Sequence, residues 1–188
     1  DEVGAGPVPV HFRHRRASDV FPTNNTLVRR DALRRSGLFD MAYDRRKRAD
    51  GDLGTRLYLS GALMVFDPGA AVLHHHAPQG GLRVHRERVV TYASSRQRLV
   101  QRHLPGASEI YLDTRYFTPQ QVREALWLRA LGTFSVRGGV GKKLLKAVIA
   151  LVLLPHTWWA IRQQKREALR MLEVFPQIPT LDGPEQSG

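Results

Sequence analysis

Punctuation by glycine and proline divides this chain into segments of two different periods. Between residues 24 and 80, short helical patterns alternate with short β-rich runs. Asp31 is followed by ALRRSG, which reads as an N-cap, a short helix and a stop at Gly37. A second helix is expected from about Asp50 to Leu59, where Leu53, Leu57 and Tyr58 recur at helical spacing and Gly61 ends the run. Two strands are expected next, around 63–66 and 71–74, joined by a turn at Asp67-Pro68-Gly69.

The flanking stretches read differently. Residues 1–23 are rich in Pro and Gly and then basic, as expected of a loop or edge strand entering a domain. Residues 81–135 are expected to be mostly helical. One helix should run from about Arg83 to Leu104, with Val89, Tyr92, Ala93 and Leu99 on one side and Pro105-Gly106 as its stop. IYLDTRYF reads as irregular or as a short strand. Thr118 should cap a helix with Pro119 at its first position, running through VREALWLRALGTF. No internal repeat is present.

Charge limits the partners. The 188 residues carry a formal net charge of +12, and the pI is about 11.0. Such a surface attracts polyanions: diphosphates, nucleic acid or acidic lipid head groups. The absence of Cys excludes disulfide staples and Cys-based zinc sites.

The residues that bear chemistry lie between Asn24 and His76. In order they read NNTLVRRDAL, SGLFD, ADGDLGTRL, SGALMVFDPGAAVL and HHH. A carboxylate at a helix N-terminus, such as Asp50, can act as a general base whose charged form the helix end stabilises. Asp52 falls on another side of that first turn, which suits capping or orienting. Asn24 and Asn25 can both donate to and accept from hydroxyls, although Asn also favours turns. They form a sequon with Thr26, discounted for want of a secretory signal. His74 and His76 would share one face of a strand while His75 points away. Adjacent histidines rarely converge on one zinc ion.

The ordered set resembles the second half of the catalytic domain of family 2 glycosyltransferases, which have the GT-A fold. Their pattern reads roughly N-x-x-x-R-R-x-x-x-x-x-x-G-x-F-D, then E-D-x-D-L-x-x-R-L-x-x-x-G, then a β-hairpin with Pro, then a His. The resemblance covers residues 10–105. It implies an α/β fold: a partial GT-A domain over 1–105 whose nucleotide-binding half lies upstream, followed by a helical, membrane-associated appendage over 106–175 and a disordered tail over 176–188. It also implies an inverting transferase that moves a sugar from a nucleotide-sugar donor to a hydroxyl of a glycan or lipid-linked acceptor. Asp50 would be the base. Asn24, Asn25, Asp52, Arg56 and His76 would bind substrate. His74 would ligate a divalent metal, Mn or Mg, completed by ligands on the other half. Phe39 and Asp40 would fix a loop over the acceptor site. Arg83, His85, Arg86 and Arg96, on a Gly-rich loop and basic helix, are candidates for the diphosphate. The sequence departs from the family at Ala49, where relatives carry Glu. The fragment alone is expected neither to bind nucleotide tightly nor to turn over.

From Lys142 the chain reads KKLLKAVIALVLLPHTWWAIRQQKREALRML. The run Ala147–Leu154 is too short to span a bilayer. Cations on both sides, with Trp158 and Trp159 between them, suit an interfacial or re-entrant helix pair on an anionic membrane surface, at the cytoplasmic face. Two competing readings follow from charge and from Ala49. One is a basic membrane-surface or nucleic-acid-binding module, though the chain lacks a groove-reading helix or an aromatic stacking sheet. The other is a catalytically silent glycosyltransferase-like subunit.

Overall fold

Asp31 sits inside the first turn of a helix rather than capping it. Helix α1 spans Arg30–Ser36, and its N-cap is Arg29, which makes no side-chain cap. Asp31 instead places its charge near the helix's positive end and pairs with Arg29 at 3.2 Å and Arg35 at 3.6 Å. The computed structural model describes residues 10, 13–18, 21–22, 25–70, 104–131 and 139–182. Those residues are mostly helical, with one small two-stranded sheet. Contacts divide the chain into two units: 1–44, 49–80 and 177–188 form one, and 45–48 with 81–176 form the other.

The first unit is built on α1 and helix α2 (Ala49–Leu59). Leu53 and Leu57, one turn apart, bury themselves with Phe21 and Ala32, and Val28, Leu33, Ala62 and Met64 pack around them. Each fully buried leucine stabilises by roughly 1.5–3 kcal/mol. Tyr58, expected on the same face, is exposed, because one residue further turns it roughly 100° away from Leu57. Gly54 accepts a helix-interior penalty of about 1 kcal/mol relative to Ala. The reason is close approach: a Cβ there would lie 2.8 Å from the Phe21 Cβ.

Strand β1 (Arg16–Ala17) pairs antiparallel with β2 (Val65–Phe66), in register Arg16 to Phe66 and Ala17 to Val65. The first stretch thus supplies an edge strand. The strand expected over 63–66 is regular only at its last two residues, and the one expected over 71–74 lies outside the described residues. The turn after β2 closes as its residues predict: Asp67 Oδ1 accepts from the Gly69 N–H at 2.9 Å, and Ala70 N–H donates to Asp67 O at 3.1 Å.

Gly37 ends α1 at φ 79°, in the left-handed region that favours glycine. The returning residues of the tail seat on it. Leu38 N–H donates to Pro179 O at 2.8 Å, and a Cβ on Gly37 would come within 2.8 Å of Ile178 Cγ2. Arg34 reaches Asp182 at 3.1 Å. Residues 177–182, expected as part of a structureless tail, therefore pack on the first unit.

The described residues of the second unit are mostly helical. The IYLDTRYF segment (110–117), read from sequence as irregular or a short strand, lies in helix α3 (Ala107–Tyr116) up to Tyr116. Its aromatic and β-branched residues pointed towards a strand, but burial decided the outcome: Ile110 and Tyr111 are wholly buried. Its N-terminus is closed by Glu109, which accepts from Gly106 N–H at 3.2 Å, and by Gln164, which accepts from Ala107 N–H at 2.8 Å. Helix α4 (Pro119–Leu131) begins with the expected cap: Gln121 N–H donates to Thr118 Oγ1 at 3.3 Å, and Thr118 N–H to Gln121 Oε1 at 2.9 Å. Helix α5 (Val140–Val152) and helix α6 (Leu154–Val174) meet at Leu153, with Pro155 in the first turn of α6.

Helix α3 packs chiefly on α6, and α4 and α5 also contact α6. Ile161, Ala168 and Met171 of α6 are buried, as are Val122, Leu126 and Ala130 of α4. Trp127 and Trp158 meet edge to face with centroids 4.4 Å apart. Arg115 closes the far end of α6, donating to Phe175 O at 3.1 Å and Pro176 O at 3.0 Å. The helix expected over 83–104 lies outside the described residues except at Leu104, and Gly132–Phe134 of the α4 pattern lie outside them too.

Candidate functional site

Helix α2 organises the first unit's polar residues by its own periodicity. Residues four apart lie one above the other, so Asp52 and Arg56 meet on the inner face. Arg56 donates to Asp52 Oδ2 through Nε at 3.0 Å and Nη2 at 2.7 Å. Its guanidinium also donates to Ser36 O at 2.5 Å and Leu38 O at 2.7 Å. Asp52 is 0% exposed and Arg56 7% exposed. Both were expected to touch substrate; the structure places both inside, where they tie the SGL segment to α2. A planar fork with five donors is what can serve a carboxylate and two carbonyls together.

The remainder of that loop follows from this anchor. Asp40 is buried and caps a single 3-10 turn (Met41–Tyr43), accepting from Ala42 N–H at 2.9 Å. Phe39, between the anchored Leu38 and the capping Asp40, is left 45% exposed.

Asp50 stands in the first turn of α2 and is exposed. Its Oδ1 accepts from Gly51 N–H at 2.8 Å. A solvent-facing carboxylate at a helix N-terminus can take a proton from a hydroxyl brought against it. Two residues away, the Asp52 carboxylate is withdrawn into the interior, so the two acids of ADGDL have different surroundings. Asn25 is exposed, and its Nδ2 donates to Ala70 O at 2.6 Å, linking the segment before α1 to the turn after β2. The Asp67 carboxyl in that turn is held below its ordinary value by the Gly69 N–H and by Arg15, 2.8 Å away.

Asn24, His74, His76, Arg83, His85, Arg86 and Arg96 lie outside the described residues. The metal ligand expected of this half, His74, is thus among them. Among the described residues no group of three or more acids and histidines could hold a metal ion.

One polar cluster in the second unit went unread in the sequence. Arg48 pairs with Glu109, and Arg129 reaches Glu109 and Asp113, each at 3.4 Å. Burial alone would raise the Glu109 carboxyl, but Arg48, Arg129 and the Gly106 N–H together hold it below its ordinary value. Burial raises Asp113, Arg129 opposes it, and the neighbouring charge of Glu109 adds to the rise. The i,i+4 spacing of Glu109 and Asp113 was legible; their basic partners, distant in sequence, were not.

The chain matches no protein-family model, no curated protein and no solved structure.

Proposed function

We propose that this chain is the acceptor-side part of an inverting nucleotide-sugar glycosyltransferase of GT-A type, with Asp50 as general base. Asp50 takes the proton of the acceptor hydroxyl as that oxygen attacks the anomeric carbon. The bond from that carbon to the nucleoside diphosphate breaks, and one displacement inverts the configuration.

The observation that supports this reading best is the contrast within ADGDL. Asp50 faces solvent from the first turn of α2, while Asp52 and Arg56 lock the same helix to the SGL segment. A base needs access together with a rigid mount. The ordered motifs from Asn24 to His76 supply the family expectation, and Ala49 remains a departure from it.

The test is transfer from a panel of UDP-, GDP- and dTDP-sugars by the natural polypeptide that carries this chain, compared with its Asp50→Asn variant. Loss of the base should lower kcat by about 10²- to 10⁴-fold. Turnover of the variant within twofold of the parent would rule out Asp50 as the base. Absence of transfer with every donor would remove the glycosyltransferase reading altogether. Tight UDP-sugar binding by the isolated 188 residues would contradict the assignment to the acceptor side.

A further inference from the structure

Helix α5 is packed inside out. Its outward residues are Val140 (73% exposed), Leu144 (64%), Leu145 (50%), Val148 (57%), Leu151 (60%) and Val152 (73%), whereas Lys146 and Ala150 are buried at 5% each. At 3.6 residues per turn, positions 140, 144, 148 and 151 form one stripe, with 145 and 152 beside it. Positions 146 and 150 fall on the opposite side. An aliphatic stripe left in water forgoes the stabilisation of burial, so its natural surroundings are apolar.

The charge around the stripe selects what covers it. From Val140 to Arg170 the sequence carries Lys142, Lys143, Lys146, Arg162, Lys165, Arg166 and Arg170, with Glu167 as the sole acid. A second copy of the chain would bring like charges together. Anionic head groups would meet opposite ones. On α6, Trp159, Arg162, Arg166 and Arg170 follow one another along an exposed face. An exposed indole beside guanidinium groups suits the boundary between acyl chains and phosphates. No single helix among the described residues is long and apolar enough to cross a membrane; the pair has that length and composition only when taken together, and it bends by 58° at its junction.

We propose that α5 and the exposed Trp159–Arg170 face of α6 dock on the surface of an anionic lipid bilayer. The aliphatic stripe of α5 enters the acyl boundary, and the cations of α6 face the lipid phosphates. This inference stands on the second unit alone and is independent of any sugar-transfer activity.

The experiment is sedimentation of the 188-residue chain with vesicles of phosphatidylcholine, alone or mixed with phosphatidylglycerol, at physiological salt. Binding should be at least roughly tenfold stronger to the anionic vesicles, because each cation near the surface adds attraction. Leu144→Ser with Leu151→Ser should weaken that binding by roughly tenfold or more, with the circular dichroism unchanged. Arg162→Gln with Arg166→Gln should weaken binding to anionic vesicles only. Brominated acyl chains should quench the tryptophan fluorescence of the unaltered chain, a readout that needs no variant. Failure to bind either vesicle, or no quenching, overturns the proposal. So does equal binding to both vesicles, or a dimer without lipid that the serine variant abolishes.

Discussion

Arg56 and Asp52 are buried one turn apart on α2, 2.7 Å from nitrogen to oxygen, and the same guanidinium holds the carbonyls of Ser36 and Leu38. One side chain therefore joins helix α2 to the end of α1. It leaves the helix's outer carboxylate, Asp50, facing solvent.

Removing Arg56 takes the guanidinium away from the buried Asp52 carboxylate and from the carbonyls of Ser36 and Leu38. Arg56→Met should cost about 3–5 kcal/mol in urea denaturation. Arg56→Lys should rescue little, because an ammonium cannot reproduce the fork. Asp52→Leu combined with Arg56→Met should be more stable than Arg56→Met alone, since the buried charge goes with its partner. Equal stabilities of the single and double variants would show that the carboxylate is not the source of the loss.

Asp50 and Asp52 should separate function from stability. Asp50→Asn should change stability by no more than roughly 1 kcal/mol, the scale of a helix-end charge. Asp52→Asn should cost more, because it removes the anion that the buried Arg56 pairs with. Urea denaturation of the two variants side by side checks this order. The reverse order would move the structural anchor to Asp50.

Gly54→Ala should destabilise the first unit despite alanine's better helix propensity. The new Cβ would meet the Phe21 Cβ at 2.8 Å, backed by the buried pair Leu53 and Leu57. The expected cost is roughly 1–3 kcal/mol, typical of overpacking. A rise in melting temperature would mean that Phe21 yields at no cost.

The second unit should respond to pH with opposite signs at two carboxyls. Glu109 is held below its ordinary value, so its stabilisation is complete above the ordinary carboxylate range. It is lost as pH falls through the lowered value. Glu109→Gln should thus destabilise at neutral pH and converge with the parent in acid. Asp113 is raised, so its ionised form costs stability at neutral pH, and this cost fades as pH falls through the raised value. Asp113→Asn should be neutral or slightly stabilising near pH 7, with the difference vanishing in acid. All three tryptophans lie in the second unit, so tryptophan fluorescence melts follow it selectively. Parallel pH profiles for the two variants would refute the assignment of signs.

Several elements were legible because their cause is local. The α2 pattern through Leu53 and Leu57, the stop at Gly37, the Asp67-Pro68-Gly69 turn and the Thr118 cap all rest on residues within a few positions of each other. Asp31 misled because an acid before a helical run suits both the cap and the first turn. Helix α3 misled because its aromatic content favours strands until burial against α6 is counted. Asp50 was legible as a carboxylate at a helix start, whereas the burial of Asp52 and Arg56 was not.

By itself, then, the sequence determined where helices and turns could begin and end, which carboxylates were available and how much positive charge the chain carries. Only the tertiary structure decided which of those groups face water. It turned Arg56 inward onto Ser36 and Leu38, brought Pro179 back to Leu38 and left the aliphatic side of α5 uncovered. The physical reason is that backbone conformation answers to near neighbours. Burial depends on residues far apart in sequence, and only the folded chain brings them together.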